Sequence, residues 1–282
     1  MFVPRRSDSG LGAKQRRRNP EICVIPICLL YDRVLSDSEM TTPAAYRSFA
    51  HKGANFRILC DRFDAVTDEI VRLRSVLEEY IARHGEFASS LEPVELLNDA
   101  PEIARRMAEA SRTVGVGPMA AVAGTVAQMS AEAAGDDEAI VENGGDVFLA
   151  AKRGVTVGLY AGHGLLGDSL ALSIPPEAMP LAVCSSSGVM GHSLSLGKCD
   201  LACVVSHNAS LADAAATHAA NLVRTPDDIE SALDHITGID GVDGALMVQG
   251  DRIGMAGDLP ALVRNRDAEL GRKVTRDPSS GP

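Results

Sequence analysis

The strongest constraint in this sequence is that its extended runs come in neighbouring pairs, each closed by a turn. "YRSFAHKGANFRILCDRF" (46–63), "EAIVENGGDVFLAA" (138–151) and "GALMVQGDRIGMAG" (244–257) each place two β-rich runs around a glycine-containing turn, the pattern of antiparallel hairpins. Helical periodicity stands apart from them. "FDAVTDEIVRLRSVLEEYIARHGEF" repeats apolar residues at Val66, Ile70, Leu73, Leu77 and Ile81 and is expected to stop at Gly85. "APEIARRMAEASRT" predicts a shorter helix with proline at its start. "VGVGPMAAVAGTVAQMSAEAAG" predicts a glycine-rich lead into an alanine-rich helix, and "ASLADAAATHAANLV" a second small-residue helix. Further strands are expected in "GVTVGLY", "LAVCSSSG" and "HSLSLGKCDLACVVS". Hairpins mixed with separate helices define an α+β fold of mixed or antiparallel sheets with packed helices.

The chain divides into three parts. Residues 1–40 carry Arg5, Arg6, Lys14, Arg16, Arg17 and Arg18 ahead of a short apolar run broken by Pro26, too short to span a bilayer. They are expected to be a disordered extension or the product of a start codon placed too early. Residues 41–263 are expected to form one α+β domain, and 264–282 a flexible polar tail.

The 282 residues carry a net charge of -11 and 4% aromatics with no Trp. That charge opposes phosphate backbones, and stacking platforms are scarce, so nucleic acid is excluded as a partner class. No membrane segment is expected either. The six cysteines form no CxxC pair and read as reduced, apolar side chains of a cytoplasmic protein. Cys199 and Cys203 share parity in a predicted strand, so both are expected on one buried face.

Four stretches carry chemistry. In "GVGPMAAVAG" (115–124), Gly117, Pro118 and Met119 open a helix whose unpaired N–H groups suit a phosphate; the residues also permit a reading in which the glycines serve close packing. The helical character of the preceding segment argues against a dinucleotide-binding fold. In "VENGGD" (141–146), Asn-Gly is a favoured two-residue turn. Glu142, Asn143 and Asp146 crowd it, beside Gly144 and Gly145, with more carbonyl-bearing side chains than a turn requires. In "CSSSGVMGHSLSLG" (184–197), Ser185, Ser186, Ser187 and Gly188 suit a ligand-holding loop; a nucleophile, Cys184 or Ser186 with His192 as base, is the alternative. In "LADAAATHAANL" (211–222), Asp213 and Thr217 lie four apart on one helical face and can offer oxygens to Mg²⁺. All four stretches are expected to face one shared cavity.

Taken in order, "GVGPMAAVAG", "VENGGD", "CSSSG…GHSLSLGKCD" and "LADAAAT" resemble the ApbE-like superfamily, specifically its bacterial and archaeal branch of unknown function, from about Tyr46 to Leu262. The better-studied members are Mg²⁺-dependent flavin transferases that move the FMN half of FAD onto a threonine of a partner protein. The resemblance implies that Asp213 and Thr217 form the metal-binding D-x-x-x-T helix, with Asp213 and His192 as catalytic residues. Gly144 and Gly145 match the strand-ending Gly-Gly, and His192 matches a histidine of the flavin-pocket loop. It implies FAD or FMN, or another phosphorylated small-molecule cofactor, with Mg²⁺, and FMN transfer or FAD pyrophosphatase activity. Two departures stand against the transferase reaction: the transferases' lysine in the helix of "PMAAVAG" has no counterpart between Arg112 and Lys152, and "SLSLGK" replaces their D-P-R-T-G. A non-catalytic cofactor-binding or assembly protein, its small residues forming a homo-oligomer interface, and the Cys/Ser hydrolase remain the alternatives.

Overall fold

The computed structural model describes residues 46–161, 170–188 and 197–265, together with the strand Cys23–Pro26. In chain order the strands are β1 (Cys23–Pro26), β2 (Arg47–His51), β3 (Ala54–Cys60), β4 (Ala139–Asn143), β5 (Asp146–Ala150), β6 (Val155–Leu159), β7 (Leu170–Ile174), β8 (Leu181–Ser186), β9 (Leu201–Ser206), β10 (Gly244–Gln249), β11 (Arg252–Gly257) and β12 (Ala261–Arg264). The α-helices are α1 (Phe63–Arg83), α2 (Gly85–Ser89), α3 (Glu102–Val114), α4 (Val122–Glu132), α5 (Ala209–Leu222) and α6 (Ile229–Thr237), with a 3₁₀ turn at Pro118–Ala121 leading into α4.

Nine strands form one sheet in the order β1-β11-β10-β9-β8-β5-β4-β3-β2, and β12-β7-β6 form a second. Every paired neighbour is antiparallel, so the fold is α+β. The three expected hairpins are present as β2–β3, β4–β5 and β10–β11. Strand β12 pairs Arg264 with Leu170, so the ordered chain runs through the point where the polar tail was expected to begin.

The central strands of the large sheet are buried on both sides and alternate between two cores. In β9, Ala202 and Val204 join the core beneath the helices, while Leu201, Cys203 and Val205 join a second core under the three-stranded sheet. Cys199 and Cys203 are both fully buried, but in different cores: Cys199 under the helices, Cys203 opposite. The shared parity failed because Cys199 precedes the strand, which starts at Leu201, and strand periodicity does not extend into the connection.

Helix α1 buries Val66, Ile70, Leu73 and Leu77, then Tyr80 rather than Ile81. A 4-3-4-3 spacing keeps one stripe on the core, and it leads to Tyr80, whose Oη accepts from the Leu97 N–H at 3.1 Å. The helix ends at Arg83, and Gly85 begins α2.

Helix α5 sits at the centre of the helical layer, against β8, β9 and α4. Its side chains from Ala209 through Ala216 are all buried. Alanine at so many positions gives up apolar area but lets neighbouring backbones approach closely. Where α4 crosses it, a Cβ added to Gly124 would lie 2.3 Å from the Ala209 carbonyl oxygen and 2.9 Å from Asp213 Cβ, so only glycine fits.

Candidate functional site

The β4–β5 turn differs from the expected one. Asn143 pairs with Asp146 as the last rung of the ladder, and the two turn residues are Gly144 (φ 67) and Gly145 (φ 111). Glycine adopts two successive positive φ values without strain, so the turn can fall at Gly144-Gly145 and leave Asn143 in the strand. The shift by one residue frees both polar side chains from the turn. By alternation with Val141 and Phe148, which lie in the helix-side core, Asn143 and Asp146 point toward the helices. Asn143 Nδ2 donates to the Ala123 carbonyl at 3.2 Å. Glu142 points to the opposite face and pairs with Arg57 Nη1 at 3.0 Å, a partner the sequence did not reveal because β3 lies 85 residues away.

Asp146 and Asp213 are both buried. Asp146 Oδ1 accepts from the Ser185 N–H at 3.2 Å, and the Cys184 thiol lies close to the same carboxyl. Asp213 Oδ2 accepts from the Gly124 N–H at 2.8 Å, with the Ala123 N–H as a further donor. These are N–H groups of the first turn of α4, where no intrahelical acceptor exists and the helix dipole favours negative charge. The acceptor at the start of the alanine-rich helix is therefore the protein's own carboxyl.

Burial pushes Asp146 up to about 7, against the Ser185 N–H and the Cys184 thiol, and Glu142 adds to the rise. Burial likewise holds Asp213 well above the ordinary carboxylate range, reinforced by the negative charge of Asp146 and opposed by the α4 amides. Among the described residues, the ionised neighbours acting on the two carboxyls are all acidic. Two buried carboxyls with no cationic side chain acting on them make an oxygen-rich site of the kind that suits Mg²⁺ with water and phosphate completing its shell. No group of three His, Cys, Asp or Glu among the described residues is arranged to hold a metal by itself, so carbonyl, hydroxyl, water or ligand oxygens have to contribute. The half-buried Thr217 lies one turn along α5 from Asp213, and these donors fit the hard ion.

The Cys184 alternative does not survive. Its thiol is fully buried, its Sγ lies 3.7 Å from the Ala209 carbonyl, and burial together with Asp146 and Asp213 pushes it far above the range in which a thiolate forms.

The serine stretch spans the end of β8 and the first residues of the loop after it. Ser185 Oγ donates to the Gly145 carbonyl at 3.0 Å, tying this stretch to the Gly-Gly turn. Ser186 shares the helix-facing parity of Cys184. Ser187 Oγ donates to the Cys199 carbonyl at 3.3 Å, and the Gly188 N–H donates to the same oxygen at 2.8 Å, closing the base of the loop. His192 lies outside the described residues, and so do the other residues of 189–196.

Gly115 and Gly117 have architectural reasons for being glycine. Gly115 (φ 84) is the left-handed cap of α3, its N–H donating to the Ser111 carbonyl at 2.8 Å. A Cβ on Gly117 would sit 2.0 Å from the Ser90 carbonyl oxygen. Pro118 and Met119 come next in the 3₁₀ turn, Pro118 buried and Met119 half-buried against the core.

The structure thus gathers Asn143, Asp146, the Ser185 backbone N–H and Asp213 near the α4–α5 crossing, with the Gly144-Gly145 turn beside them, and separates Glu142 from them. Sequence reasoning missed the Ala123 and Gly124 amides. Their signal was present in "AVAG", a glycine within a helix, but nothing local says which carboxylate it faces.

The family model described as "AbpE bacteria" matches residues 48–237. Similar chains include a "UPF0280 protein" of Methanocella arvoryzae, 42% identical and covering 80% of this chain and 95% of its own. Another, from Methanosarcina acetivorans, is 43% identical over 70% of this chain and 79% of its own. The chain belongs to this ApbE-like family. Among solved structures, the flavinyl transferase ApbE of Pseudomonas stutzeri aligns with a TM-score of 0.47 at 11% identity, over 78% of this chain and 98% of that one. The flavin transferase ApbE of Vibrio cholerae aligns at 0.43 and 12%, over 76% and 96%.

Proposed function

We propose that this chain binds a flavin, FAD or FMN, or a closely related phosphorylated cofactor, together with a divalent metal ion of the Mg²⁺ type. What supports the reading is the burial of two carboxyls, Asp146 and Asp213, on separate elements, with the charge of Asp146 acting on Asp213. In the proposal Asp213, Asp146 and Thr217 hold the metal. Gly144, Gly145 and Ser185 to Gly188 line the ligand, and Gly117 to Met119 with Asn143 form its flank. His192 is assigned the loop histidine's role, with Asp213 the second catalytic candidate. Bound Mg²⁺ would supply positive charge to a cofactor's phosphates, the charge that the missing lysine and arginine do not provide. The buried carboxyls bear the cost of lying near one another until that ion arrives.

Family membership supports the choice of flavin, and FMN transfer or FAD pyrophosphatase activity is the reaction class to assay. Isothermal titration of FAD, FMN and ADP, with and without Mg²⁺, tests the binding. The expected result is FAD binding strengthened about tenfold or more by Mg²⁺, a coupling of at least about 1.4 kcal/mol, with the metal dependence lost in Asp213→Ala. Absence of binding to all three ligands at high micromolar concentration removes the flavin reading. An assembly protein predicts instead that Asp213→Ala alters thermal stability or oligomer size with no metal-dependent stabilisation to lose.

The described cysteines Cys60, Cys184, Cys199 and Cys203 are free and buried, which supports a reducing, cytoplasmic setting. Among the described residues no single helix is long and apolar enough to cross a membrane.

A further inference from the structure

Away from the carboxyl pair, the outer side of α5 meets α6 through two histidines. His218 Nε2 and His235 Nε2 lie 3.2 Å apart, with ring centroids 5.2 Å apart and planes inclined by 58°. His218 is half-buried and His235 exposed, so a solvated ion can reach both. We propose that this pair is a two-imidazole site for a divalent transition-metal ion, Zn²⁺ in the first instance, bridging α5 and α6.

The argument is geometric. Two ligands at about 2.05 Å from one ion and set tetrahedrally lie about 3.3 Å apart, so the observed nitrogen separation matches the bite of a single Zn²⁺ without movement of either helix. The rings are tilted rather than stacked, which lets both in-plane lone pairs aim at one point. Without metal the same contact is an N–H···N hydrogen bond, so one Nε2 carries a proton. Ion binding takes the Nε2 lone pair of both rings; the donating ring's proton moves to its own Nδ1 through solvent, and no net proton is lost. Water completes the shell, since no third His, Cys, Asp or Glu among the described residues joins the pair. Imidazole selects Zn²⁺, Ni²⁺ and Cu²⁺ over Mg²⁺, so the two-histidine site and the Asp146–Asp213 site sort different ions. His218 comes directly after Thr217 in α5, which places the bridge one residue from the proposed Mg²⁺ ligand.

The test uses the untagged full chain, freed of metal by chelator dialysis and held in excess Mg²⁺ to occupy the oxygen site. Zn²⁺ is titrated in competition with a chromophoric chelator, in parallel with Cu²⁺ electron paramagnetic resonance. One Zn²⁺ per chain is expected, weakened about tenfold or more in both His235→Gln and His218→Gln, because losing a direct ligand costs at least what losing an outer-shell partner does. Nitrogen superhyperfine structure should report two imidazoles in the parent chain and one in each variant. Because His235 is exposed, His235→Gln should retain the parent circular dichroism, so a loss of affinity there cannot be ascribed to unfolding. Unchanged Zn²⁺ affinity in either variant, or a Cu²⁺ spectrum indifferent to both substitutions, overturns the site, since a chelate requires both rings.

Discussion

The two faces of the nine-stranded sheet are built from different side chains. Toward the three-stranded sheet lie Ile140, Leu149, Leu181, Val183, Leu246 and their neighbours, an aliphatic layer that packs with Leu170 and Leu172 of the smaller sheet. Toward the helices lie Phe56, Ile58, Val141 and Phe148 together with the alanines of α4 and α5 and, around the α4–α5 crossing, buried Asn143, Asp146, Thr125, Ser210 and Asp213. The polar groups are tolerated because each meets a partner. Thr125 Oγ1 donates to Ser210 Oγ at 2.7 Å, while Asn143, Asp146 and Asp213 meet backbone groups of Ala123, Ser185 and Gly124. Large aliphatic side chains each remove about 1.5–3 kcal/mol worth of apolar surface from water, whereas alanines and hydrogen-bonded polar groups contribute far less. Apolar burial stabilises both faces, and around the α4–α5 crossing the helix side spends part of that stability on holding two carboxyls out of water.

The largest expected effect tests whether the faces are separable. Leu172→Ala removes a fully buried side chain from the aliphatic layer and should lower the unfolding free energy by about 2–5 kcal/mol in urea. The Mg²⁺-dependent rise in melting temperature should survive it. If that response disappears as well, the two faces are one energetic unit and the division fails. Gly124→Ala should cost somewhat less, about 1–3 kcal/mol, as an overpacked crossing. Because the new methyl meets both the Ala209 carbonyl and Asp213 Cβ, it should also abolish the Mg²⁺ response, a result that distinguishes the two faces more sharply than the stability change does.

How much of this was legible before the structure depends on the same division. Hairpins and helices were readable because the turn glycines and the 3.6-residue stripe are local signals, and Asp146, Ser185 and Asp213 stood out as polar groups in small-residue surroundings. What local pattern could not supply was direction. Glu142 and Asn143 are adjacent in sequence, yet strand alternation sends one to Arg57 and the other to Ala123. Which of the two faces the helices depends on the turn falling at Gly144-Gly145, and a one-residue difference in register exchanges them. Cys199 shows the same effect at a strand's edge. The amides of Ala123 and Gly124 were hidden for a different reason: their partner Asp213 is 89 residues away from Gly124, and no spacing rule links them.

The carboxyl pair should also set how stability responds to pH. An acid raised in the folded state keeps a proton that the unfolded chain has already lost. The associated stability is present below the ordinary value of 3.8 for Asp146 and is lost as pH rises through its folded value of about 7. Asp213, raised in the same direction, adds to the loss. The metal-free protein should therefore lose stability from about pH 4 upward, by up to about 1.4 kcal/mol per pH unit for each proton involved. Asp146→Asn should flatten this slope in urea titrations across the window, and Mg²⁺ should stabilise the parent chain more at pH 8 than at pH 5, where protons compete for the same oxygens. A parent slope of opposite sign would mean that the carboxyls are ionised and compensated without metal.

The smallest effect is expected at Glu142, and it separates the two faces at a single strand. Its ion pair with Arg57 joins side chains that are 15% and 30% exposed, so Glu142→Gln should cost about 1 kcal/mol or less. With its side chain on the face away from Asp146 and Asp213, the substitution should leave FAD affinity and its Mg²⁺ dependence unchanged in titration. A carboxylate in contact with the ligand would behave in the opposite way, losing ligand affinity with little change in stability. Were FAD binding to weaken by about tenfold or more, the ligand would have to pass around the strand to the Arg57 side. The helix face would then hold only part of the site, and the contrast between the two faces would give way to a pocket wrapped over the β4–β5 end of the sheet.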